Sequence, residues 1–233
     1  MNMILRSNGR NLLFIFIIIL IGCGDGKSSS KVAMKYKIDG SFADWKENSL
    51  LTKEIGAVGY GTFKKDTDIK QMYVDSDKDF LYIFLKCDED LVSRFKHNKS
   101  SGILGYLYID NDRNVKSGAS KVDSSGNKAM LGVESLIWLA IGSMSSSTSG
   151  QENFISYNIS HWDATKNIFG NYVASEMSVD DNKRIRFTAD GAEIAIELKH
   201  LNLKAGQEVD LVFVEWAHNE FKRVKRLKFQ LSK

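Results

Sequence analysis

Apolar residues along this chain fall at alternate positions in short runs, and clusters of Gly, Asn, Asp and Ser break one run from the next. In Ile194-Ala195-Ile196-Glu197-Leu198 and Leu227-Lys228-Phe229-Gln230-Leu231 the two-residue period turns one face to a core and the other to water. Helical periodicity of useful length is missing. The pattern predicts strands over 36–39, 69–75, 79–87, 103–110, 130–141, 153–159, 170–178, 184–189, 192–198, 209–217 and 224–231. With no second composition regime and no internal repeat, these strands imply an all-β fold, a single antiparallel β-sandwich over residues 36–233. Ser143 to Gly150, rich in Ser, reads as a loop between two strands.

The N-terminal segment departs from this pattern. Arg6 and Arg10 precede an unbroken ten-residue apolar run, Leu12 to Ile21, that ends in Gly22-Cys23. The run is too short to cross a bilayer and has the layout of an export signal. Leu20-Ile21-Gly22-Cys23 resembles the lipobox of bacterial lipoproteins. That resemblance implies removal of residues 1–22, lipidation of Cys23, and a membrane-anchored protein exported to a bacterial cell envelope. Two or three acyl chains anchor stably where one is marginal. Residues 23–35, beginning Cys23-Gly24-Asp25-Gly26, then form a flexible linker.

Composition narrows the class further. The chain has 233 residues, 43% hydrophobic and 26% charged, which suits a globular protein. A formal net charge of +3 is no nucleic-acid footprint, and it drops toward zero once Arg6 and Arg10 are removed. Only two cysteines are present, so a disulfide framework is excluded. Cys87 follows Leu81, Ile83 and Leu85 on one strand face and reads as a buried, inert thiol. Gly-x-Ser-x-Gly, His-Glu-x-x-His, phosphate-cradling glycine loops and Cys-x-x-Cys are all missing, which points away from an enzyme. The basic cluster Lys222, Arg223, Lys225, Arg226 and Lys228 reads as protection of a sheet edge.

Two constellations carry candidate chemistry. Asp110, Asp112 and Asn114 alternate in a loop that can turn three hard oxygens toward one point, with the backbone carbonyl of Lys116 as a fourth and Glu134 on the next strand as an extra ligand. Such a set suits Ca²⁺, whereas the same residues equally suit Asx-turns. An EF-hand is excluded, because Val115 and Lys121 stand where it needs Gly and Glu. For a glycan the candidates are Trp162, beside His161, and Trp216, followed by His218 and Asn219, since sugars stack on flat aromatic faces and bond polar neighbours. Trp138, inside Leu136-Ile137-Trp138-Leu139, reads as core.

Three motifs together resemble the family 9 carbohydrate-binding modules and their DOMON-like relatives. They are Ile38-Asp39-Gly40-Ser41-Phe42-Ala43-Asp44-Trp45; the strand end and acidic loop Tyr108 to Gly118; and Ala192 to Leu198 with Leu201, Leu203 and Gly206. Glu197 stands where the family has proline, and Ser117 where Thr is usual. The resemblance implies a jelly-roll-like sandwich, a structural role for Trp45, a structural calcium and non-catalytic carbohydrate binding. The alternatives are a structural or protein-interaction lipoprotein, and haem binding through His161, His200, His218 or Met177, as in some relatives.

Overall fold

The computed structural model describes residues 33–58, 67–87, 90, 93, 100–120, 131–146, 150–177, 184–189, 191–217 and 220–233. Cys23, residues 1–32, His218 and Asn219 lie outside the described residues, as does the side chain of Trp216. Among the described residues the strands are β1 (Leu50–Val58), β2 (Thr67–Ser76), β3 (Phe80–Cys87), β4 (Ser100–Asp110), β5 (Ser135–Ser146), β6 (Gly150–Asp163), β7 (Ile168–Met177), β8 (Ile185–Phe187), β9 (Gly191–Glu197), β10 (Glu208–Ala217) and β11 (Glu220–Gln230). They make two antiparallel sheets, ordered β1-β2-β3-β9-β8 and β11-β10-β4-β5-β6-β7. Short 3-10 turns lie at Phe42–Asp44, Glu47–Ser49 and Leu198–Leu201. The expected all-β sandwich is the observed architecture.

The core fills the space between the sheets. Leu81, Ile83 and Leu85 of β3, with Ile194 and Ile196 of β9, pack toward Leu107, Ile109, Ile137, Leu139 and Ile159 of the facing sheet. Each such side chain contributes about 1.5 to 3 kcal/mol when fully buried. The partly buried Cys87 packs against this core, on the face expected of it, with its thiol 3.9 Å from the Leu85 carbonyl oxygen.

Strand β3 is buried along both faces from Phe80 to Leu85. Its second face, with Tyr73 and Ala195, lies under the N-terminal segment, where Tyr36, Ile38 and Trp45 form a second apolar cluster. Residues 36–39 are therefore not a strand, contrary to expectation. Their alternation serves to plug Tyr36 and Ile38 into an outer sheet face, and they take no place in a ladder. The strand missed in the sequence is β1, whose Thr52-Lys53-Glu54 interrupts any alternation. Register shifts between Leu50 and Thr52 and between Lys53 and Gly56 explain the loss of pattern; bulges are common on sheet edges, and β1 is one.

Trp138 also departs from expectation. Ile137 and Leu139 point into the core, so Trp138 between them faces outward, half-buried, and its ring stacks with Tyr172. An apolar run in a strand cannot by itself tell which of its residues are inside.

Candidate functional site

Strand β4 runs into the acidic loop at Asp110, which is fully buried. The loop is wound by its own side chains. Asp112 Oδ1 accepts from the Asn114 backbone N–H at 2.9 Å, and Asn114 Oδ1 accepts from that of Lys116 at 3.1 Å. Arg113 adopts a left-handed backbone (φ 56°), and Gly118 does the same (φ 53°). Only glycine fits the second place, since a Cβ on Gly118 would lie 2.5 Å from the Val133 carbonyl oxygen and 2.6 Å from Glu134 Oε1. Reciprocal backbone bonds, Ala119 N–H to Val133 O and Gly132 N–H to Ala119 O, both 2.9 Å, clip the returning segment in place.

That clip delivers Glu134 to the loop. Glu134 stands in the turn just ahead of β5, whereas the predicted strand 130–141 had it inside. Its Oε2 accepts from the Asn111 backbone N–H at 2.7 Å, and its Oε1 accepts from Ser117 Oγ–H at 2.9 Å. Asp110, Asp112 and Glu134 each place a carboxylate oxygen within 4.8 Å of the others. Two oxygens on opposite sides of one Ca²⁺ stand about 4.6 to 5.2 Å apart, so this spacing fits a shared ion.

The electrostatics favour a cation there. Burial pushes Glu134 above the usual carboxylate range, and the charges of Asp110 and Asp112 add to the shift. Asp110 is raised as well, by burial first, against the opposing pull of Arg226. Arg226 Nη1 donates to Asp110 Oδ2 at 2.5 Å, but it also reaches Asp210 Oδ2 at 3.2 Å, so one guanidinium is shared between two carboxylates. Arg113 pairs outward with Asp210 and Glu208. Asn111 Oδ1 in the same turn is buried without a hydrogen-bond partner among the described residues. Three crowded hard oxygen donors can hold a metal ion, and such donors suit hard cations better than soft ones.

Of the five residues named for the metal, the fold thus converges Asp110, Asp112 and Glu134. Asn114 and Lys116 lie exposed along the turn, tied to each other. Two contributors were missed as such in the sequence. Ser117 Oγ stands 2.9 Å from both Asp112 Oδ1 and Glu134 Oε1 and 2.7 Å from the Asn114 carbonyl oxygen, so its one hydroxyl proton serves three competing acceptors. Arg226 belonged to a basic cluster expected to guard an edge, and β11 is an edge strand, but this side chain turns inward. No local signal marks it, because its partners are 16 and 116 residues away.

The aromatic candidates do not converge. Trp162 packs edge-on against Phe169 (centroids 5.4 Å apart) beside the cluster of Tyr108, Ala119, Val133 and Val212. Trp216 lies two residues beyond the last pairing of β10 with β4, Val214 opposite Tyr106. Carried across the ladder, that puts the two tryptophans at opposite ends of the sheet, roughly 20 Å apart along the strands. His161 is taken up structurally. Its Nδ1 meets Ser135 Oγ at 3.0 Å and its Nε2 meets Asn202 Nδ2 at 3.3 Å, while burial lowers its pKa.

Elsewhere, a cavity of about 240 Å³ is lined by Lys35, Tyr36, Asn48, Asp75 and Phe229. Asp75 there already accepts from Lys35 Nζ at 2.6 Å and from Tyr36 Oη at 2.5 Å. Comparison with protein-family models, curated proteins and solved structures gives no match. What the fold defines is a two-sheet antiparallel sandwich with an acidic corner able to hold a metal ion.

Proposed function

We propose that this protein is a lipid-anchored, non-catalytic carbohydrate-binding lipoprotein of a bacterial cell envelope, built on a family 9-like sandwich stiffened by Ca²⁺ in the acidic corner. The observation that carries the binding role is the outer face of the six-stranded sheet. A sheet face left to water alternates core residues with polar ones, yet here Tyr106, Tyr108, Trp138, Trp162, Phe169 and Tyr172 occupy it. Such flat apolar surface suits the C–H faces of sugars. The acidic corner supports the same face, since Ala119 and Val133 of its clip pack on Tyr108. The lipobox-like tetrapeptide ending in Cys23 supports the anchor. A non-catalytic role agrees with carboxylates that already serve structure, such as Glu193 on Trp45 and Glu197 on Arg184 and Lys199.

Two measurements test the reading. The intact mass of the processed protein should start at Cys23 and include a diacylglycerol, and Cys23→Ala should remain unprocessed or soluble; an unmodified N-terminus at another residue overturns the anchor. A glycan array probed with folded, calcium-loaded protein should give sugar-specific signal. A silent array replaces the binding role with that of a protein-interaction lipoprotein, for which the exposed Ile168 and Val173 of edge strand β7 would be the contact.

A further inference from the structure

We propose that the outer face of the six-stranded sheet between β4 and β7 binds a neutral glycan chain laid flat across the strands, with Trp138 and Tyr172 as its stacking platform; this rests on the carbohydrate reading above. Pairing across the ladders builds the surface. Tyr106 stands opposite Trp138, Trp138 opposite Asn158, and Asn158 opposite Ser175. The next row on the same face runs from Tyr108 through Leu136 and Ser160 to Tyr172. Directly paired residues project to one face, so the two rows lie side by side. They cross three strand spacings, about 14 Å.

Within this grid Trp138 and Tyr172 are the exposed end of the aromatic surface. Their rings lie within 14° of parallel with centroids 6.5 Å apart, and Tyr172 is 58% exposed. Asn158 and Ser175 place an amide and a hydroxyl beside the rings, the partners that sugar hydroxyls need. The indole N–H of Trp138 is buried with no hydrogen-bond acceptor among the described residues. A buried donor left unpaired bears its full desolvation cost, and indole N–H groups in protein interiors usually find a partner. A sugar hydroxyl entering beside the ring would supply one. Neither row carries a charged residue between β4 and β7, so the ligand is neutral. Tyr108 and Ser160 are buried, so the surface left open runs from Tyr106 and Leu136 through Trp138 and Asn158 to Tyr172 and Ser175, a strip that takes the side of a chain better than its end.

The test uses the full-length lipidated protein in detergent, with calcium. Depletion onto insoluble cellulose, chitin, mannan and β-1,3-glucan identifies a retaining polysaccharide, and its soluble oligosaccharide is then titrated calorimetrically. Tyr172→Ala should weaken affinity at least tenfold with the melting temperature unchanged, because the ring is exposed. Tyr172→Phe should keep most of the affinity, and Trp138→Phe, which keeps a ring but removes the N–H, should lose severalfold. Full affinity in Tyr172→Ala overturns the platform and leaves the carbohydrate reading standing. Retention on none of the four polysaccharides overturns both. A dimer that Tyr172→Ala converts to a monomer in sedimentation identifies the face as a self-association surface and also overturns the platform.

Discussion

Glu193 on β9 and Glu134 ahead of β5 are both carboxylates that burial pushes above the ordinary range, yet their surroundings give them different work. Glu193 is fully buried and accepts three N–H bonds, from the Asp39 and Gly40 backbones and from Trp45 Nε1, each 2.9 Å. Those donors fasten the Ile38-Asp39-Gly40 turn and the Trp45 ring onto the five-stranded sheet, where the ring also stacks on Tyr36 at 4.6 Å. Glu134 accepts from one backbone N–H and one hydroxyl, and it shares its corner with two further carboxylates. Burial alone therefore does not mark a ligand site. What separates the two is how completely the protein's own donors satisfy the charge, and whether like charges crowd it.

The contrast can be broken at its structural end. Glu193→Ala strips three buried donors of their acceptor and should cost about 3 to 5 kcal/mol. Thermal unfolding should show a large drop that calcium does not selectively repair. A loss no greater than that of a surface substitution would mean that the turn does not depend on this carboxylate.

At the other end, calcium should stabilise through the acidic corner. A ligand at a hundredfold excess over its dissociation constant adds about 2.7 kcal/mol. For a domain of this size each kcal/mol shifts the melting temperature by about 2 to 4 °C. The melting temperature should rise with calcium and fall with chelator, and Asp110→Ala or Asp112→Ala should erase the difference. A calcium shift that survives in both variants places the ion elsewhere, and no shift in the unmutated protein leaves the loop an Asx-wound turn.

The smallest effect is a pH dependence in chelator. Because Glu134 is raised in the folded state, folding takes up protons over its titration, so its contribution falls as pH climbs from the unfolded value, about 4.3, through the folded one. Glu134→Gln removes that term. The stability of the variant relative to the unmutated protein should therefore improve from pH 4 toward pH 7, followed by urea unfolding at each pH. A flat or opposite trend would show that the carboxylate is not disfavoured in its corner.

Much of the sandwich was legible because alternation reports a physical requirement. Ile194, Ile196, Leu227 and Phe229 had to face one way, and their strands lie where the period put them. Alternation misled where one of its causes was absent or doubled. Tyr36 and Ile38 alternate to fill an outer face without pairing, β1 pairs with a register broken by bulges, and Trp138 sits in an unbroken apolar run because both faces of β5 carry apolar residues. The acidic loop was legible through its local spacing, Asp110 to Asp112, while Arg226 and Ser117 acquired their roles only from neighbours that the loop brings together.

The sequence by itself determined the local chemistry: the strand periods, and the aspartates and glycines that wind a tight loop, because each acts within a few residues. The tertiary structure decided everything that depends on distant partners. It set which carboxylates gather at one point, which are paired with a guanidinium or bonded by an indole N–H, and which aromatic rings a sheet turns inward or leaves facing out. Those outcomes follow from ladder register and layer packing, which join residues up to 156 positions apart and leave no trace in any single stretch of chain.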